Sequence, residues 1–241
     1  IIANCKKALD QIIDDIKPKL DYKRAESRTK QVIDDAKEIR LNYETSVEND
    51  WNTSPMSPAR MMFELSNAVP ENAIIIDDAV SNRGALRHYF HGESRGDIRG
   101  VRGQSIGGGI GATMGTKCAN PDRPVFGIIG DGSAMMTIQG LWTAANDNIP
   151  SIFIICNNGM YRVLKVNFNV YQEEILEQKE TAGENLLYSN FDTPFDISEI
   201  ARGMGLDSER VDKPEDIKGA VERALGTGKP YVIDVVIDGS L

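Results

Sequence analysis

Two polar segments that follow apolar runs could together bind a metal ion and a diphosphate. The first is Gly-Asp-Gly-Ser at residues 130–133, and the second is Asn-Asn-Gly at residues 157–159. The carboxylate of Asp131 and the amide oxygen of Asn158 are hard ligands suited to Mg²⁺, which also takes phosphate oxygens. The glycines let a diphosphate approach the backbone, and N–H groups at the start of a helix favour an anion.

The surrounding elements predict that these two segments meet in space. Residues 125–129 and 151–156 are apolar runs typical of buried strands, and residues 133–146 between them have helical apolar spacing. Strands of a doubly wound sheet end at one edge, where ligands bind. We therefore expect Asp131 and Asn158 to lie close together. An ordinary strand, turn and helix without a ligand is the alternative.

Strands alternate with helices along the chain, which predicts an α/β fold. We expect a mainly parallel, doubly wound sheet with helices on both faces, preceded by an α-helical arm or linker. The polar residues 167–194 are expected to form an irregular loop or lid. The further predicted helices are 59–69, 85–90, 195–204 and 216–225, a glycine-rich segment at 100–115 leads into a helix ending at 119, and the further strands are 73–76 and 231–237.

The first 56 residues differ in character from the rest of the chain. Residues 1–45 have helical patterning with dense charges, and Pro18 separates two predicted helices. Residues 46–58 are rich in Asn, Thr, Ser and Pro. A solvated helical arm is one interpretation of this first part, and the domain that holds the diphosphate site is expected to begin near residue 57. Because the chain opens on Ile1 rather than Met, we expect an incomplete and inactive fragment.

Composition excludes several classes of function. The net charge of −9 over 241 residues argues against nucleic acid or an anionic membrane as the main partner. No membrane span or signal peptide is visible. The three cysteines resemble neither a zinc site nor a disulfide framework and suit a reducing cytoplasm. We therefore expect a cytoplasmic protein that binds a small molecule.

The stretch from residue 130 to residue 161, GDGSAMMTIQGLWTAANDNIPSIFIICNNGMY, resembles thiamine diphosphate-dependent enzymes. It is most similar to benzoylformate decarboxylases, followed by acetolactate synthases and pyruvate-oxidase-like enzymes. The resemblance extends over roughly residues 57–238. It implies that residues 1–56 are a helical linker from a preceding domain and that residues 57–241 are the diphosphate-binding domain. It implies a C-terminal domain that binds thiamine diphosphate and Mg²⁺ in an enzyme that decarboxylates a 2-oxo acid.

The resemblance assigns metal and diphosphate ligands. It implies that Asp131, the side chain of Asn158 and the backbone carbonyl of Met160 hold Mg²⁺. Gly132 and Ser133 would donate hydrogen bonds to the diphosphate.

An earlier loop, DDAVSNR, places Ser81 and Asn82 at matching diphosphate positions. Turn formation or helix capping is the alternative reading of these two residues. Arg83 and Arg87 are alternative anion contacts.

The resemblance also assigns the ring end of the cofactor. Ile106 would wedge the two rings into their folded shape, and the backbone carbonyl of Gln104 would accept from the amino group. Simple core packing by Ile106 is the alternative. Tyr161, a predicted cofactor contact, and Leu164 match positions near the substrate. Asn167 stands near the place of a further aromatic residue, which weakens the case for an aromatic 2-oxo acid.

Other parts of the enzyme are implied but not contained here. The activating Glu of the family lies on a pyrimidine-binding domain of the same or a neighbouring subunit, so the catalytic residues are unknown and a homodimer or tetramer is expected. FAD in a middle domain is not supported by any residue here. The alternatives are an acetolactate synthase-like carboligase, against which the absent Trp-Gln pair counts, a two-chain enzyme, a non-catalytic diphosphate-binding module and a flavodoxin-like module.

Overall fold

The computed structural model describes residues 2–90, 97–101, 103, 105–178 and 186–240. The chain divides into two compact units, Ile1–Glu48 and Asn49–Leu241. The second unit therefore begins eight residues before the position at which the sequence predicted the domain to start. The role of the first unit as a linker stays a prediction.

The first unit contains two helices, α1 (Cys5–Ile16) and α2 (Tyr22–Val47), joined through a short 3₁₀ turn that contains Pro18. The side chains of Asn4 and Asp21 cap these helices by accepting backbone N–H groups. The predicted pair of helices is confirmed. Within the described residues neither helix contains a buried side chain, so packing inside this unit contributes little to its stability.

The second unit is built around a parallel sheet of six strands: β1 (Ile74–Asp78), β2 (Ile98–Gly100), β3 (Val125–Gly130), β4 (Ile152–Asn157), β5 (Asp207–Val211) and β6 (Tyr231–Val236). They lie side by side in the order β2-β1-β3-β4-β6-β5. Four strands are apolar and almost completely buried, as expected for a parallel sheet covered on both faces. The predicted α/β fold is confirmed.

Helices cover both faces of this sheet. On one face, α5 (Gly109–Ala119), α7 (Gly140–Asn146) and α9 (Ile197–Gly203) pack on strand residues that include Ile129 and Phe153. Alternate strand residues such as Ile128 and Ile154 point to the other face, where α3, α4 and α10 lie. The helices of this unit are α3 (Pro58–Ala68), α4 (Arg83–Tyr89), α5 (Gly109–Ala119), α6 (Asp131–Met136), α7 (Gly140–Asn146), α8 (Arg162–Val170), α9 (Ile197–Gly203) and α10 (Ile217–Thr227).

The single helix predicted over residues 133–146 is wrong, because the structure breaks it into α6 and α7. Thr137 leaves the helical conformation, with φ −140° and ψ 31°. Its hydroxyl donates instead to the carbonyl of Gly107 over 2.7 Å. A tertiary contact therefore ends α6, and apolar periodicity gave no sign of it.

The irregular loop predicted from residue 167 is wrong over residues 167–175. Helix α8 runs to Val170 and continues as a π-helical turn over Tyr171–Ile175. Of the polar residues that suggested a loop, Glu173 and Glu174 are exposed on this turn, whereas Gln172 is buried. Residues 179–185 of this prediction lie outside the described residues.

Two strands escaped prediction because both are edge strands. β2 has three residues, and β5 reads Asp-Ser-Glu-Arg-Val without an apolar run. Edge strands carry polar residues, which hides them from hydrophobic patterning. The other predicted helices and strands of the second unit agree with the structure to within two residues at each end, except that α5 begins inside the glycine-rich segment. Among the described residues, no helix has the length and apolar content needed to cross a membrane.

Candidate functional site

A cavity of about 360 Å³ opens at the carboxyl ends of β1, β3 and β4. The chain passes from β1 to β2 on one side and then crosses to β3 on the other, so this edge is a topological switch point, where α/β folds bind ligands. Its volume lies in the range of about 300–1,000 Å³ typical of small-molecule sites.

The cavity collects every predicted site residue that the structure describes. Gln104 lies outside the described residues. The ten that line the cavity are Ser81, Asn82, Ile106, Asp131, Gly132, Ser133, Asn158, Met160, Tyr161 and Leu164.

Asp131 joins the two polar segments on which the sequence argument rests. Its Oδ2 accepts the backbone N–H of Gly159 over 2.7 Å, and its Oδ1 accepts that of Gly132 over 2.7 Å. The side chain is only 3% exposed. Burial raises the pKa of Asp131 to about 6, against the opposing effect of its backbone hydrogen bonds.

The two neighbouring asparagines have different surroundings. Asn158 lines the cavity, and its Oδ1 accepts the N–H of Met160 over 3.1 Å. Asn157 is buried away from it and donates to the carbonyl of Phe195 over 2.8 Å and to Oδ1 of Asp234 over 2.9 Å. Only the second asparagine of the pair is available to a ligand in the cavity.

Asp234 is a buried structural carboxylate that the sequence analysis missed. Its Oδ2 accepts the N–H of Ile197 over 3.0 Å and pairs with Arg210 over 3.2 Å. Burial raises the pKa of Asp234. The available signal was a lone Asp within the apolar run Tyr-Val-Ile-Asp-Val-Val of β6. Together with Asn157, this carboxylate fixes the start of α9 beneath the site.

The donor set fits a divalent cation that also binds phosphate. In the described part of the chain, no cationic side chain pairs with the buried carboxylate of Asp131. A carboxylate has about four lone-pair sites, and the backbone N–H groups of Gly132, Gly159 and Asn158 act on Asp131, so at least one site is left for a cation. The described residues contain no cluster of three or more His, Cys, Asp or Glu that could hold a metal by itself. One carboxylate and one amide oxygen beside a cavity suit Mg²⁺, which keeps positions for phosphate oxygens.

The loop after β1 presents a polar edge to the cavity. Ser81 and Asn82 lie in or beside the 3₁₀ turn Val80–Asn82, and the side chain of Asn82 is buried. Oδ1 of Asn82 is buried and has no partner among the described atoms. Asn82 also makes no side-chain cap to α4, so the helix-capping alternative is not observed. Arg83 is bound to Asp77 over 2.9 Å, which makes it a poor candidate for an anion contact.

Ile106 lies at the cavity and is 41% exposed, so the core-packing alternative does not describe it. The glycine-rich turn that carries it is held by Ser133. Oγ of Ser133 accepts the N–H of Gly107 over 2.7 Å and donates to Oδ2 of Asp78 over 2.5 Å. The hydroxyl of Ser133 is therefore already engaged in two hydrogen bonds within the protein.

Tyr161 packs directly on the Gly-Asp-Gly segment. A Cβ at Gly132 would lie 2.4 Å from Cε1 of Tyr161, so only glycine fits there. The Tyr161 ring also meets Phe191 edge to face at 4.8 Å. Leu164 is 50% exposed in the first turn of α8. Leu164 and Ile106 contribute apolar side chains to the lining of the cavity.

Residues 84–235 match the family described as thiamine pyrophosphate enzyme, C-terminal TPP binding domain. The chain is 34% identical over 170 residues to a putative acetolactate synthase large subunit IlvX of Mycobacterium tuberculosis, covering 70% of this chain and 32% of that protein. It is 31% identical over 182 residues to the benzoylformate decarboxylase of Pseudomonas aeruginosa, covering 75% and 32%. The chain thus spans about a third of the length of these relatives.

Solved structures share the fold. The thiamine diphosphate-dependent 4-hydroxybenzoylformate decarboxylase of Rhodococcus jostii superposes with a TM-score of 0.68 at 28% identity, covering 77% of this chain and 33% of that one. The benzoylformate decarboxylase of Polynucleobacter necessarius gives a TM-score of 0.67 at 22% identity, covering 80% and 35%. The second similarity concerns the fold alone.

Proposed function

Because this chain belongs to the thiamine pyrophosphate enzyme family and contains its C-terminal cofactor-binding domain, we propose that the cavity beside Asp131 binds thiamine diphosphate together with Mg²⁺. The observation that carries the proposal is the gathering of ten predicted site residues around one cavity. These residues come from four separate segments of the chain, so their meeting is a property of the fold.

The polar end of the cavity would hold Mg²⁺ and the diphosphate. Asp131, Oδ1 of Asn158 and the backbone carbonyl of Met160 are the proposed metal ligands. A bound metal would neutralise the Asp131 carboxylate and so offset the free-energy cost of burying it. The backbone N–H groups of Gly132 and Ser133 are the proposed donors to the diphosphate.

The loop after β1 would bind the same end of the cofactor from the opposite side. Ser81 and Asn82 are the proposed contacts there. The buried Oδ1 of Asn82, unpartnered among the described atoms, supports a polar ligand at this edge, because buried polar atoms are normally hydrogen-bonded.

The apolar end would orient the rings and the substrate. Ile106 would support the folded cofactor, Tyr161 would close the space over Gly132, and Leu164 would contact the substrate. Gln104 stays a predicted contact on the same glycine-rich segment. Thiamine diphosphate supplies an electron sink for cleaving the bond next to a carbonyl group, whereas the residues named here bind it, orient it and exclude water.

For the whole protein we propose decarboxylation of a 2-oxo acid, in the manner of a lyase. The similarity to benzoylformate decarboxylases supports this reading. A carboligase of the acetolactate synthase type is the second candidate, favoured by the similarity to the Mycobacterium tuberculosis relative. Release of CO₂ without a second 2-oxo acid distinguishes the first activity from the second.

The proposed assembly is a homodimer or tetramer in the cytoplasm. A pyrimidine-binding domain of the same or a neighbouring subunit would supply the activating Glu. If adding a pyrimidine-binding domain does not give activity, we infer instead a non-catalytic module that binds the diphosphate.

Titration calorimetry of the chain with thiamine diphosphate, with and without Mg²⁺, tests the proposal. We expect binding that needs the metal and is lost in Asp131→Ala. Asp122→Ala is the matched control, because Asp122 is an exposed aspartate in the turn before β3, at the opposite edge of the sheet. Equal affinity with and without Mg²⁺, or equal affinity of Asp131→Ala and the wild type, would overturn the metal assignment.

A further inference from the structure

The turn that carries Ile106 is fixed by side chains from outside the glycine-rich segment. Gly107 donates its N–H to Oγ of Ser133 over 2.7 Å and accepts the hydroxyl of Thr137 at its carbonyl over 2.7 Å. Both backbone polar groups of one residue are therefore bound by side chains in or just after α6. This α6 is the same helix that begins with Asp131.

Asp78, the last residue of β1, also belongs to this hydrogen-bond network around Gly107. Its Oδ2 accepts Oγ–H of Ser133 over 2.5 Å and the N–H of Gly109 over 2.9 Å. The carboxylate is buried, and burial raises its pKa. Two hydrogen bonds to one buried oxygen hold the strand end, the turn and α6 in a single arrangement.

The backbone of the turn lies too close to these elements for a side chain to intervene. Gly107 has φ +94°, and a Cβ there would lie 2.7 Å from Cβ of Met136. A Cβ at Gly109 would lie 2.7 Å from Oδ2 of Asp78. This close approach lets the hydrogen bonds form and leaves Ile106 facing the cavity.

We propose that Asp78, Ser133 and Thr137 are positioning residues that fix the turn at Gly107, and that they act on the cofactor through Ile106. The inference rests on the proposed function of Ile106 as the support of the bound cofactor. It gives the hydroxyl of Ser133 a positioning role, in addition to the proposed diphosphate contact of the backbone N–H of the same residue. A direct contact and a positioning role make opposite predictions when Ile106 is removed.

The first test needs no cofactor. Amide hydrogen exchange of the full chain should show Gly107 protected in the wild type and exchanging about fivefold faster in Ser133→Ala, since one buried hydrogen bond contributes about 1 kcal/mol. Thr137→Val keeps the shape of the side chain and should loosen the same turn, which provides a second variant if Ser133→Ala folds poorly. Unchanged exchange at Gly107 in a folded variant would overturn the network.

Ser151→Ala is the matched control for this test. Ser151 is fully buried just before β4, at the opposite edge of the sheet, and its hydroxyl has no partner among the described atoms. It should leave the exchange at Gly107 unchanged. Faster exchange at Gly107 in this control would mean that any buried serine loosens the turn, which contradicts a specific role for Ser133.

The second test is a double-mutant cycle on the affinity for thiamine diphosphate with Mg²⁺. Ser133→Ala should weaken binding about tenfold in the wild-type background and less than about twofold in the Ile106→Ala background. Equal losses in both backgrounds would indicate direct contact and overturn the inference. Absence of binding by the wild type would instead contradict the proposed function, while hydrogen exchange would still decide whether the network holds the turn.

Discussion

The backbone N–H of Gly159 donates to Oδ2 of Asp131 over 2.7 Å and so ties the turn after β4 to the turn after β3. Gly159 adopts φ +68°, a conformation that glycine reaches without strain. The contact explains why the Asn-Asn pair is followed by glycine, because the backbone must turn its N–H towards a buried carboxylate.

Ionisation of Asp131 should cost stability in the metal-free chain. Its folded-state pKa of about 6 lies above the ordinary 3.8, so the folded chain binds more protons than the unfolded chain between these values. The penalty is absent below pH 3.8, grows as pH rises and is complete above pH 6, where it reaches about 3 kcal/mol. Asp131→Asn should therefore gain stability relative to the wild type as pH rises from 4 to 7.5, measured by urea unfolding.

The exposed Asp122→Asn is the control for this pH dependence and should show the same difference from the wild type at both pH values. A stability difference for Asp131→Asn that does not change between the two pH values would show that burial does not penalise this carboxylate. Added Mg²⁺ with thiamine diphosphate should reverse the ranking and stabilise the wild type alone.

The two asparagines should separate stability from binding. Asn157→Ala removes hydrogen bonds to Asp234 and Phe195 and should lower the free energy of unfolding by about 2 kcal/mol. Asn158→Ala should change stability by less than about 0.5 kcal/mol but weaken Mg²⁺-dependent cofactor binding at least about tenfold. Thermal unfolding and calorimetry of both variants measure the contrast. Unchanged cofactor binding by Asn158→Ala would show that Asn158 is not a metal ligand.

Gly132→Ala should displace Tyr161. The added Cβ would lie 2.4 Å from the ring, and overpacking of this kind costs about 1–3 kcal/mol. Gly111→Ala on α5 is the matched control, because nothing lies within 4 Å of its Cβ position and alanine favours a helix by about 1 kcal/mol. Thermal unfolding should move in opposite directions for the two variants, and Tyr161→Ala should restore much of the loss in Gly132→Ala. If the double variant is no more stable than Gly132→Ala alone, the loss of stability does not come from the contact with Tyr161.

Ile106→Ala should leave folding almost unchanged and weaken the site. The side chain is 41% exposed, whereas Ile110, four residues later, is 1% exposed. Ile110→Ala should therefore cost about 2–5 kcal/mol of stability, while Ile106→Ala should cost less than about 1 kcal/mol. In the intact enzyme, Ile106→Ala should lower kcat more than cofactor affinity. A large stability loss for Ile106→Ala would restore the core-packing alternative.

The sequence predicted the parallel sheet and the gathering of Asp131 with Asn158, because apolar runs followed by glycine and polar residues mark strand ends at a ligand-binding edge. It assigned Asn158 to the metal site but gave no role to Asn157. The hydrogen bond between Asn157 and Asp234 joins β4 to β6 across 77 residues of sequence, so only the folded structure reveals it.

Ser133 illustrates a second limit. The resemblance assigned Ser133 to the diphosphate without distinguishing its hydroxyl from its backbone N–H. In the structure the hydroxyl binds Asp78 and Gly107, which are 55 and 26 residues away. The break between α6 and α7 has the same origin, since Thr137 also binds Gly107. Local periodicity carries no information about such long-range hydrogen bonds. The network around Gly107 therefore became visible only in three dimensions.

The most direct test of the central claim is a crystal structure of the chain with thiamine diphosphate and Mn²⁺ in place of Mg²⁺. The anomalous signal of Mn²⁺ should lie about 2.1 Å from an oxygen of Asp131, from Oδ1 of Asn158 and from the carbonyl of Met160. The diphosphate should bridge the metal and the backbone of Gly132 and Ser133. A metal peak outside this cavity, or a diphosphate that does not touch the metal, would contradict the account.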